Sequence, residues 1–235
     1  MTRKIHLLCV FLCNLAVPAV ADHQHAPAPA ATPPPLFDNL GTLHHPITTA
    51  SPQAQRYFDQ GLRLVYAFNH DEANRAFKEA ARLDPNCAMA YWGIAFTLGP
   101  NYNLPVDAER DRAAYEAIQQ AVARAPNASD AERAYIEAIA KRHVADSNAD
   151  RKALDAAFAD AMREVAKRYP DDLDAATLFA EAMMNLRPWG LWTHEGQPAP
   201  GTEEIVLISR RTFLLEKLRF DADTMTKQYS CSKPQ

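Results

Sequence analysis

The sequence predicts an all-α fold, a solenoid of helix–turn–helix repeats, on three observations. Apolar residues recur at helical spacing along most of the chain. Glycine is scarce, 7 in 235 residues, while alanine is abundant, which favours helices over turn-rich β structure. A rhythm of small or apolar residues closed by proline returns at roughly one repeat length. The motifs that would mark an enzyme are absent: no phosphate-binding glycine loop, dinucleotide fingerprint, G-x-S-x-G or H-E-x-x-H occurs. A net charge of -4 argues against a broad nucleic-acid surface.

Residues 1–21 read as a secretory signal: basic Arg3-Lys4, an apolar run from Ile5 to Val17, and Ala19-Val20-Ala21 in the small-x-small cleavage pattern. The run is too short for an ordinary membrane span. Export places the remaining chain in the periplasm or outside the cell. Only Cys87 and Cys231 stay in the chain after cleavage, and their separation gives no sign that they pair. Residues 22–50 follow as a Pro/Ala/His-rich tether and lead-in, beginning DHQHAPAPAATPPP, with little to bury.

The repeat region spans 51–206. Unit one, about 54–87, opens on Ser51-Pro52, a capping side chain followed by proline in the first helical turn. Asn69-His70-Asp71 breaks the pattern, and Asp71 is placed to cap the second helix. Gly61, Ala73, Phe77, Ala80 and Pro85 follow at intervals of 12, 4, 3 and 5. Unit two, about 88–128, repeats 4, 3 and 5 at Ala114, Ile118, Ala121 and Pro126 after an inserted GPNYNLPV loop. Unit three, about 129–172, carries a capping-box pair, Ser129 and Glu132, and the same rhythm at Phe158, Met162, Val165 and Pro170. Unit four, about 173–206, is interrupted by RPWGLWTHEGQPAPG, with Thr202 placed to cap its second helix and Trp189 and Trp192 expected to pack as a lid.

Residues 207–235 differ in kind. They hold one alanine and a net charge of +3, against -9 for residues 22–206. An atypical C-terminal helix with a frayed end accounts for this, as does a truncation or frameshift after Val206.

The intervals in unit one resemble the tetratricopeptide repeat. LHHPITT, FNHDEA, AMAYWGIA, RYPDDLDAATLFAEA and RPWGLW look like a group of secreted bacterial tetratricopeptide proteins. The resemblance implies a right-handed superhelix whose groove is lined by the first helix of each unit, and a protein or peptide as partner. Carried onto this chain, the groove positions are Gln55, Phe58, Leu62, Val65 and Tyr66 in unit one and Met89, Trp92 and Phe96 in unit two. Arg133 and Glu137 represent unit three, and Thr177 and Glu181 unit four. At single aromatics the alternative is packing between repeats or under residues 36–47.

No cofactor is required by this reading. The alternative function is metal handling: His23, His25, His44 and His45 form a ligand set for copper or zinc. Asp171, Asp172 and Asp174 read as the polar start of a helix.

Overall fold

The computed structural model describes residues 32–214 apart from residue 147. The signal segment, His23, His25 and Cys231 lie outside the described residues. Within them the protein is all-helical, with two single-residue β-bridges and no longer strand. The helices are α1 (Pro52–Tyr66), α2 (His70–Leu83), α3 (Ala88–Leu98), α4 (Ala108–Arg124), α5 (Asp130–Ile139), α6 (Arg151–Arg168) and α7 (Leu173–Asn185). A 3-10 turn, Ala125–Asn127, follows α4, and α8 occupies 202–214. No described helix is long and apolar enough to cross a membrane.

Helix starts follow local side-chain chemistry. Ser51 Oγ accepts from the Ala54 amide at 3.1 Å, and Pro52 occupies the first turn, where a missing N–H costs nothing. Ser129 and Glu132 complete a reciprocal capping box on α5. Asp172 caps α7 through the Ala175 amide, at 3.0 Å. Two caps differ from expectation. Asn69, not Asp71, caps α2, which leaves Asp71 in the first turn facing the helix dipole. Thr202 points inward instead of capping, and its hydroxyl donates to the Leu191 carbonyl at 2.6 Å.

Each helix from α1 to α7 packs on its successor, and α1 also meets α3 and α3 meets α5. Phe77 of α2 is the wedge that sets the first of these junctions. A Cβ at Gly61 would sit 2.6 Å from its ring, and a Cβ at Gly93 2.4 Å. Both glycines are there so that α1 and α3 can close on one aromatic ring. The core continues through Phe58, Trp92, Tyr135, Phe158, Met162 and Phe179.

Candidate functional site

The face formed by α1, α5 and α7 carries residues 34–49, the lead-in segment, laid along it. Its backbone is held by side chains. The amides of Phe37, His45, Ile47 and Thr48 donate to Gln60, Asp59, Gln55 and Glu132. The carbonyls of Pro34, Pro35, Leu43 and His45 accept from Tyr57, Gln60, Arg63 and Gln55. Leu36, Leu40, Leu43 and Ile47 pack their side chains against the core beneath. Gln55 clamps both sides of the His45–Ile47 stretch, because its amide can donate and accept at once.

At the centre of this face lies a proton-sharing cluster. His45 Nδ1 is 2.7 Å from Asp174 Oδ2, and the Tyr66 hydroxyl donates to Asp174 Oδ1 at 2.6 Å. The Tyr135 hydroxyl donates to Asp172 Oδ2 at 2.8 Å. Burial opposes a charge on His45, but Asp174, Asp172 and Asp59 outweigh it and raise its pKa above the usual histidine value. Burial, with Asp172 and Asp174, drives both tyrosine hydroxyls well above their ordinary range, so both remain donors. Thr42, Pro46, Ser129 and Asp171 rim the adjoining cavity of about 620 Å³.

One ligand atom each from His45, Asp172 and Asp174 lies within 4.8 Å of the others, a spacing that could hold a cation. Three of the four carboxylate oxygens there already accept from Tyr66, Tyr135 and His45, and Asp172 Oδ1 accepts from the α7 backbone. A metal would have to displace those donors. His44 turns the other way, to Asp59 at 2.7 Å, so the two adjacent histidines do not share one centre.

The expected groove positions separate into three groups. Phe58, Leu62, Met89, Trp92 and Phe96 are buried, with Trp92 stacked on Phe96 at 5.3 Å between ring centroids. They belong to the core and offer no open aromatic surface, which corrects the groove assignment and matches the packing alternative for Phe58, Trp92 and Phe96. Arg133 and Glu137 are also misplaced. Arg133 is spent on the Asp130 side chain and the Ala128 carbonyl, and Glu137 is exposed. Glu132 and Tyr135 take the inward role, a register shift in unit three. Gln55, Tyr66, Thr177 and Glu181 do face inward, the last three around one cavity.

That cavity, about 410 Å³, lies between the end of α1, the 67–69 turn, α7 and α8, with Tyr102 from the inserted loop at its mouth. Its lining is mostly apolar, with five hydroxyl side chains and the ionisable Glu181 and His70 among it. Glu181 Oε2 and both His70 ring nitrogens are buried without a hydrogen-bond partner in the protein. Burial raises the Glu181 pKa, opposed by Arg142 and Asn185, and burial with nearby Arg110 lowers that of His70. The sequence singled out FNH and GPNYN only as turn and loop; their role in this wall depends on segments far apart in the chain. Trp189 and Trp192, expected to pack down as a lid, are exposed, and Trp189 leans on Tyr102 with ring centroids 5.1 Å apart.

No family model, no curated protein and no solved structure matches this chain.

Proposed function

We propose that this chain is a non-catalytic scaffold of the bacterial cell envelope that binds protein segments in extended form. The observation that carries this reading is the lead-in segment itself, an extended stretch whose backbone is gripped by Gln55, Asp59, Gln60, Arg63 and Glu132. Side chains that pair with backbone groups accept any sequence with apolar residues at the positions of Leu36, Leu40, Leu43 and Ile47. The packing of each helix on the next, with α1 on α3 and α3 on α5, supports a tetratricopeptide-like superhelix. Export rests on the signal pattern of residues 1–21.

The test uses a fluorescent peptide with the sequence of residues 33–49 and the full chain from residue 22. Anisotropy should report weak binding to the wild type, whose own segment competes. A His45→Ala/Thr48→Ala variant, which loosens that segment and leaves the receiving face intact, should bind at least about ten-fold more tightly, the equivalent of roughly 1.4 kcal/mol. Absence of binding to both proteins, with helicity retained, removes the reading.

A further inference from the structure

The cavity at the α1–α7–α8 end is built for a small molecule rather than a chain. Four of its five lining hydroxyls already donate their proton, Thr177 to Leu173, Ser209 to Ile205, Thr212 to Ile208 and Tyr66 to Asp174, and Tyr102 is the fifth. The buried polar atoms of the lining left without a partner in the protein are Oε2 of Glu181 and the two ring nitrogens of His70. A buried carboxylate oxygen with no donor is costly, and native structures normally satisfy it. Its other oxygen holds Asn185 at 3.2 Å, so Glu181 is positioned and half-used.

Phe68 supplies a second, independent sign. Its φ is +57°, the left-handed region in which a helix-ending glycine is favoured and a bulky residue is strained. Packing does not repay that strain, because the side chain is 58% exposed on the cavity wall. The hydrogen bonds Phe68 N–H to Val65 and Asn69 N–H to Leu64, both 2.9 Å, hold the turn and would serve glycine equally well. The ring meets His70 edge-on, centroids 6.3 Å apart, and its other face stands open to the cavity.

We propose that this cavity binds a small organic amine with an apolar body, its ammonium group donating to Glu181 Oε2 and its body lying among Tyr66, Phe68, Tyr102 and Leu178. Aromatic faces attract cations, and the unfilled oxygen takes an N–H. A molecule with an anionic head meets the Glu181 carboxylate and is repelled. A neutral alcohol fills the space without the charge interaction. The volume is within the range of small-ligand sites. His70 offers the ligand one further hydrogen bond. The site borders the face that carries the lead-in segment only at Tyr66, whose hydroxyl is held by Asp174.

The experiment is calorimetric titration of the full chain from residue 22, at pH 7.5, with tryptamine, indole-3-ethanol and indole-3-propionate. Tryptamine should bind, with the alcohol and the acid at least about ten-fold weaker. Glu181→Gln keeps shape and removes charge, and should abolish the preference for the amine over the alcohol. Phe68→Gly relieves the turn, so it should raise the melting temperature while lowering tryptamine affinity; this arm stands if Glu181→Gln folds poorly. Equal binding of alcohol and amine by the wild type overturns the proposal, as does failure of all three to bind. Unchanged tryptamine affinity in Phe68→Gly overturns it too.

Discussion

The Tyr66 hydroxyl at the end of α1 donates to Asp174 at the start of α7, 2.6 Å away and 108 residues on. This bond closes the first helix of the array onto the last of its first-of-pair helices. It also sits between the two functional regions: Asp174 anchors His45 of the lead-in segment, while the Tyr66 ring forms a wall of the small-molecule cavity.

Tyr66→Phe removes the donor and leaves the ring. Asp174 keeps His45 but loses one charge-assisted hydrogen bond, a loss of about 1.5–3 kcal/mol for a bond of this kind. Urea unfolding followed by far-ultraviolet circular dichroism should show the midpoint falling with an unchanged slope. A change in slope instead would mean that α7 detaches separately.

His45 gives the lead-in segment a pH dependence. Its pKa is raised in the folded protein, so its contribution is complete below the unfolded histidine value of about 6.5. That contribution fades as pH climbs through the folded value. The difference in melting temperature between wild type and His45→Gln should therefore shrink from pH 6 to pH 8.5. A constant difference would show that the ring acts by packing on Phe58 and Tyr135 alone.

His143 works with the opposite sign. Burial lowers its pKa to about 4, assisted by Arg142 and Arg151 and resisted by its hydrogen bond to Asp111. The unfolded chain then takes up the proton first, so stability falls as pH drops from about 6.5 toward 4. Thermal melts across that window should show a loss that His143→Gln reduces, even though that variant starts less stable at pH 7.

Gly93→Ala should be the most damaging single methyl group in the array. Its Cβ would enter the Phe77 ring at 2.4 Å, and overpacking of a dense core costs about 1–3 kcal/mol. In a Phe77→Leu background the same substitution should cost less, and a double-mutant cycle should return a coupling above about 0.5 kcal/mol. Additive effects would place the strain in the α3 backbone.

Local chemistry was legible where it acts within a few residues. The Ser51-Pro52 start and the Ser129–Glu132 box are readable because capping pairs a side chain with an amide two or three positions on. The interval rhythm marked Phe77, Ala80, Ile118, Phe158 and Met162 as core, and all are buried. Thr202 was misread because its hydroxyl finds a loop carbonyl 11 residues earlier instead of its own helix.

Sequence by itself determined that the described residues are helical, where α1, α3, α5 and α7 begin, and much of the apolar stripe of each helix pair. Those properties follow from backbone capping and from the 3.6-residue period, and both are local. Tertiary structure alone decided what the paired helices enclose. It buried Phe58, Trp92 and Phe96 in the core, set Tyr66 against Asp174, and left Glu181 and Phe68 lining one cavity. Such meetings join residues about a hundred positions apart. They depend on how each helix pair is rotated onto the next, and no short-range pattern encodes that rotation.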